Sequence, residues 1–322
     1  MRIYILLITI SLFFSCKEEI PQPVGASNMG RVSGWNQCIF DLPQNIPFRV
    51  RSNALTCYNQ ANVYILGGGS LGSSTNLEVW EVKPNSRQLI TGQYSLPAYL
   101  VGGISFMFQG KLHYGLGVNQ NGFNNSIWVK NGINSWSEIS AFPGLGRSNA
   151  ISFTIGEKTY VGLGRGAIGY YRDLYEYNPN LNSWTKMADM PGGGRTDAAV
   201  FVLNNKAYVG TGFDGTYYLK DFYAFDPSKN TWDRIPDLPG YVRDDAAAFA
   251  FEKRGYVGTG WNPVAGIMKD FYEYNALTNQ WKLAPEFNTG ARYGAIAFTF
   301  DGKAYVGTGN NATDMNDFFV SK

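Results

Sequence analysis

The chain is 322 residues long, enough for two ordinary domains or for one repeat array closed into a single body. Aromatic residues make up 16% of it and glycines number 38, while charged residues reach only 16%, which disfavours long amphipathic helices and predicts many short strands between tight turns. A formal net charge of +2 without a Lys/Arg run leaves no footprint for a phosphate backbone, so no nucleic-acid partner is expected.

In chain order, Met1-Arg2 leads into an apolar stretch from Ile3 to Phe14 and then Ser15-Cys16. The stretch runs for about 12 residues where a bilayer span takes roughly 20, so residues 1–15 are expected to be an export signal. The segment Leu12-Phe13-Phe14-Ser15-Cys16 resembles a lipobox, which implies acylation of Cys16 and contact with a membrane through the lipid alone. Lys17-Glu18-Glu19 is similar to the short tag of surface-exposed Bacteroidota lipoproteins, which implies an outer-membrane anchor facing outwards, with a periplasm-facing anchor as the alternative. Residues 16–34, with Pro21, Pro23, Gly25 and Gly30, are expected to form a flexible tether. Beyond it, Cys38 falls on an outer strand and Cys57 on an inner strand of the next unit. Free thiols are expected there, with pairing in an oxidising compartment as the alternative.

From residue 35 onwards the chain repeats. Arg147-Ser-Asn-Ala-Ile, Arg195-Thr-Asp-Ala-Ala, Arg243-Asp-Asp-Ala-Ala and Arg292-Tyr-Gly-Ala-Ile are spaced by 48, 48 and 49 residues, and extending the period backwards reaches Arg51 and, in the second unit, Tyr99. Each unit predicts four strands. An alternating strand is followed by a turn such as Asn204-Asn205 or Asp301-Gly302, then by a strand ending in motifs such as Tyr-Val-Gly-Thr-Gly. A variable loop, an Asp-Phe-Tyr strand and a strand bearing Trp136, Trp184, Trp232 or Trp281 complete the unit. Four strands per period of roughly 40 to 50 residues is the pattern of a propeller blade. The last unit stops at Asp317-Phe-Phe-Val-Ser-Lys322 without its Trp strand, and Gly34-Trp35-Asn-Gln-Cys-Ile-Phe-Asp-Leu-Pro43 supplies the missing piece. A unit split between the two ends calls for a closed ring, which also removes exposed sheet edges.

This order of strand, glycine pair, variable loop, aromatic strand, Trp and Arg is similar to kelch repeats. The resemblance covers residues 35–322 and implies an all-β, six-bladed propeller of four-stranded blades, its ring closed by the N-terminal strand. Adjacent glycines stand only at Gly67-Gly68; elsewhere a Gly-x-Gly replaces them, and Gln88-Leu89 stands in the first unit where Trp is expected.

Strand polarity puts the loops that enter strand a and the loops between strands b and c on one face. Arg51, Arg147, Arg195, Arg243 and Arg292 are expected near its axis, amid loop residues that include Tyr171, Tyr218 and Trp261. Five cations at about 10 Å would repel by on the order of 1.7 kcal/mol per pair, so something must offset them. In one reading the arginines bond carbonyls and the carboxylates of Asp197, Asp244 and Asp245 and brace the blades. In the other they keep donors free for a carboxylate or sulfate ligand, as the kelch resemblance implies for some peptide binders. Function is therefore read as a non-catalytic binding module for glycan or protein on a monomeric propeller. One alternative is a metal-independent mutarotase resembling the N-acetylneuraminate epimerases, with Asp197 and Asp245 moving a proton. Another is a structural subunit of an envelope complex. A copper centre like that of galactose oxidase, which draws on several histidines, is excluded because His113 is the one histidine, and no cofactor or Cys/His metal spacing is expected.

Overall fold

The computed structural model describes residues 31–38, 53–58, 62–69, 77–83, 88–90, 95–285, 287 and 290–322. The expected export signal, Cys16, the tether as far as residue 30, and Arg51 lie outside the described residues.

Each repeat folds as one antiparallel sheet of four strands, a to d from the axis outwards. In blade four these are Ala199–Leu203, Lys206–Gly210, Phe222–Asp226 and Thr231–Ile235. Both faces of such a sheet are covered. Phe201, Tyr208 and Phe222 pack against blade five, while Ala207, Val209 and Phe225 pack against blade three. This two-sided burial is why the central strands are nearly all apolar and why so little charge is needed. Six such interblade clusters exist, and the a strands touch their neighbours all the way round, the sixth meeting the first. One aromatic pair recurs between strands a and b. Phe153–Tyr160, Phe201–Tyr208, Phe249–Tyr256 and Phe298–Tyr305 stack with centroids 5.0–5.2 Å apart, and blade two substitutes Phe106–His113 at 4.5 Å.

Closure takes the expected form. The last blade has Ile296–Phe300, Lys303–Gly307 and Phe318–Ser321 from the C-terminal end, and Trp35–Cys38 as its outer strand, paired antiparallel from Trp35↔Ser321 to Cys38↔Phe318. The packed chain begins before Trp35, inside the expected tether: Val32 is buried and its N–H donates to Tyr256 Oη at 3.1 Å. The Trp residues of the d strands of blades two to five are only half-buried, since each reaches sideways. Trp136, Trp184, Trp232 and Trp281 donate their indole N–H to carbonyls of Ser95, Ser140, Ala188 and Pro236, each in the segment leaving the preceding blade, at 2.9 Å.

The Gly-x-Gly motif has a similar interblade origin. Its central residue and second glycine both take positive φ, as in Thr211 (58°) and Gly212 (92°), and the Gly212 N–H donates to the Arg243 carbonyl of the next blade at 2.8 Å. The adjacent Gly67-Gly68 occupies these same two positions. Elsewhere a Leu or Thr accepts the left-handed backbone that glycine adopts without strain. Thr211 and Thr259 offset part of that strain, because each Oγ1 accepts a backbone N–H at 3.2 Å, from Ala199 and Ala247. Cys38 packs between blades six and one and Cys57 between blades one and two, and no disulfide joins them. Burial pushes the Cys57 thiol up to about 12, which leaves it inert at neutral pH.

Candidate functional site

The loops between strands b and c and the segments entering strand a share one face, stitched by backbone bridges such as Ser148↔Arg165, Thr196↔Phe213, Asp244↔Trp261 and Tyr293↔Asn310. The four described arginines lie beneath this face. Arg147, Arg195, Arg243 and Arg292 are 0% exposed. Each forms a two-pronged pair with the Asp that opens strand c of its own blade: Asp173, Asp221, Asp270 and Asp317, at 2.5–3.2 Å. The same NH1 also donates to the carbonyl just past strand b, at Leu163, Thr211, Thr259 or Thr308. Stacking closes the cage. Arg147 lies between the rings of Phe142 and Tyr171 at 4.7 and 4.3 Å, and Arg292 packs against Phe287 and Phe319. These four arginines therefore brace their own blades and, at 0% exposure, turn no donor to solvent. Their partners are not Asp197, Asp244 or Asp245. Tyr171 belongs to the brace as well, because its ring covers Arg147.

Among the blades whose arginine position is described, blade two is the exception, and the register places Leu100, not Tyr99, at that position: Ile104 pairs with Gly115 as Ile151 pairs with Gly162. Its strand c opens with Ser126 in the place of the Asp, so both halves of the ion pair are replaced together.

The centre of the face is acidic. Two residues after each arginine position, Asn53, Gly102, Asn149, Asp197, Asp245 and Gly294 all take φ between 50° and 62°. Their backbones link blade to blade around the axis, as in Asn53 N–H to Gly294 carbonyl (3.0 Å) and Asp197 N–H to Asn149 carbonyl (3.2 Å). Left-handed backbone at these positions turns the side chains of the Asn and Asp residues among them together. Asn149 Nδ2 donates to Asp197 Oδ1, Thr196 Oγ1 donates to Asp197 Oδ2 at 3.0 Å, and the Asp197 and Asp245 carboxyls hydrogen-bond each other. That last bond requires a proton between them. Burial raises both, and the charges of Asp197 and Asp244 raise Asp245 further. Asp244 is pushed up to about 7 by burial and by Asp197. Below this ring lies an axial cavity of about 530 Å³ lined by the six inner strands. Its first layer is small (Ala54, Gly103, Ala150, Ala198, Ala246, Ala295) because six strands converge there.

An aromatic arc borders the carboxylates. Tyr170, Phe213, Tyr218 and Trp261 follow one another across blades three to five at centroid separations of 5.9, 4.8 and 5.4 Å. Tyr218 lies within the field of Asp244, Asp245 and Asp197, which joins the two halves of the site. Among the described residues no group of three or more His, Cys, Asp or Glu side chains is placed to hold a metal ion.

The carboxylates make a pH dependence with a worked sign. Asp244 binds its proton from about 7 downwards in the folded chain and only near 4 when unfolded, so acidification through that window stabilises the fold, and Asp197 and Asp245 act in the same direction. His113 opposes them. Burial lowers its imidazole to about 4, against roughly 6.5 unfolded, so its contribution is complete above that value and lost as pH falls. Replacing His113 with Phe keeps the stack on Phe106 and removes the acid-side loss. The variant is expected to gain about 2 kcal/mol over the parent between pH 7.5 and pH 5 in urea unfolding. An unchanged difference at the two pH values would rule out a buried neutral imidazole.

A kelch motif is matched over residues 194–239, which run from the glycine before Arg195 through blade four. A solved structure titled "Structure of YjhT" aligns with a TM-score of 0.72 and 14% identity, over 85% of this chain and 95% of that one, a likeness of fold. No curated protein matches the chain.

Proposed function

We propose, from the premise that this chain is a six-bladed kelch propeller, that it is a non-catalytic binding module whose ligand, glycan or protein, docks on the face where the b–c loops meet the axis. The observation that carries the reading is the aromatic arc from Tyr170 to Trp261 set against carboxyls that are not consumed by the blade braces. Aromatic faces beside hydrogen-bonding groups give both contact area and orientation. In the same reading Cys16 is the acylated anchor, placed on the outer membrane, and the propeller is a monomer displayed from it.

A second reading has its own support. Two carboxyls sharing a proton above a cavity are suited to moving a proton, which is what a metal-independent mutarotase or epimerase requires. Against an anionic sugar stands the loss of the arginines to bracing.

Glycan- and peptide-array screening of the chain, beside a Tyr218→Ala/Trp261→Ala variant, tests the binding reading. Specific binding that falls roughly tenfold or more in the variant, with an unchanged melting temperature, is the expected result. Silent arrays, together with accelerated anomeric exchange of an acidic amino sugar by NMR that is lost in Asp245→Asn, would replace it with the enzymatic reading.

A further inference from the structure

Around the axis carboxyl groups outnumber cations. Asp197, Asp244 and Asp245 converge, Asp214 and Asp314 stand on neighbouring b–c loops, and Arg165 is the cation whose field reaches Asp197. Several polar atoms there are buried without a partner. Asp244 Oδ1 has none, and neither does Ser148 Oγ, although Ser148 is 1% exposed. Ser148 occupies in blade three the position from which Thr196 reaches Asp197 in blade four and at which Asp244 stands in blade five. Unpaired groups of this kind carry a desolvation cost that a donor from outside would relieve.

Outside this acidic centre the same face also carries exposed apolar tips, aliphatic as well as aromatic, beside the exposed Arg165. Ile168 and Val264, at the tips of the b–c loops of blades three and five, are 77% and 86% exposed. Tyr217 between them and Leu145 and Tyr241 on the adjoining segments are exposed too. Sugars stack on aromatic rings but gain little from branched aliphatic tips, whereas an apolar protein surface gains from both. An ammonium or guanidinium entering over Tyr218 and Trp261 towards Asp244 would meet ring faces and carboxylate oxygens together.

We propose that this face captures a protein segment that inserts one basic side chain, lysine or arginine, at the axis and lays flanking apolar residues on the crown formed by Ile168, Tyr217 and Val264. The inference rests on the binding-module reading and narrows it to a cationic, apolar protein partner. The ligand class is thus opposite in charge to that expected from an open arginine ring.

A random-peptide display library selected on the full chain tests it. The expected outcome is enrichment of peptides with one Lys or Arg among apolar residues, with affinity falling about tenfold or more when that residue becomes norleucine. Asp244→Asn should cost a similar factor. It is the informative variant because Asp244 Oδ1 makes no internal bond, and an unchanged melting curve confirms that the fold survives. Ile168→Ser/Val264→Ser, at exposed positions, should weaken the same peptides without touching the charge. Selected peptides that keep their affinity as norleucine forms, or on Asp244→Asn, would overturn the cationic partner while leaving the binding face in place. Glycan binding with no peptide enriched would do the same in favour of a sugar. Silence in both screens would remove the binding-module reading itself.

Discussion

Arg195→Ala is expected to destabilise the propeller by about 3–5 kcal/mol and to lower its melting temperature by roughly 10 °C. The guanidinium is fully buried, donates to both oxygens of Asp221 and to the Thr211 carbonyl, and its own backbone carbonyl accepts from Gly164 of the preceding blade. Truncation leaves a carboxylate with a side-chain exposure of 20%, too little for water to solvate it fully. The molecule itself indicates how the damage can be reversed. Blade two is folded with Leu100 and Ser126 at the corresponding positions, so Arg195→Leu/Asp221→Ser is expected to recover at least about 2 kcal/mol of the loss. A double-mutant cycle in urea separates the outcomes. Strong coupling between the two positions identifies a brace. A single-site loss of ligand binding at unchanged stability would instead make the arginine a recognition residue.

The same ion pairs explain which parts of the molecule were legible. The period of 48 or 49 residues, the Trp strands and the split last unit were enough for the number of blades and the mode of closure, because they are features of spacing alone. The arginines recur too, but recurrence does not say what a side chain bonds. The deciding signal was present in the Asp that follows each arginine by 26, 26, 27 and 25 residues, and in the joint loss of both from the second unit. Aligning that unit on Tyr99 rather than Leu100 hid the joint loss.

Asp197 and Asp245 were legible as candidates, but their environment was not. Nothing in Arg195-Thr-Asp-Ala or Arg243-Asp-Asp-Ala announces that the third residue has positive φ. Gly294 and Gly102, with Asn53 and Asn149, at equivalent positions are the hint, since glycine takes this backbone freely and Asn tolerates it better than most residues. Once these residues face the axis, the carboxyls of neighbouring blades lie against each other out of water: burial raises both, and the charges of Asp197 and Asp244 raise Asp245 further.

Closure carries the other large effect. Trp35 is buried in the interface between blades five and six, with Phe249, Phe271 and Phe287 at centroid distances of 6.1, 5.6 and 5.3 Å. Trp35→Ala is expected to cost about 3–5 kcal/mol through the cavity it leaves. Deleting residues 31–38 should cost more, since it also strips the pairing from Phe318–Ser321 and removes the Val32 contact to Tyr256. An unpaired strand with an apolar neighbourhood is a template for association. The truncated chain is therefore expected to self-associate in sedimentation experiments and to lose its single cooperative unfolding transition. A synthetic peptide covering residues 31–43, added in excess, should restore both, because the missing strand contributes through non-covalent contacts alone. Restoration would establish that the ring is held shut by this strand. A truncated chain that stays monomeric and unfolds cooperatively without the peptide would mean that the other five interfaces hold the propeller without it, and that the N-terminal strand covers an edge without closing the fold.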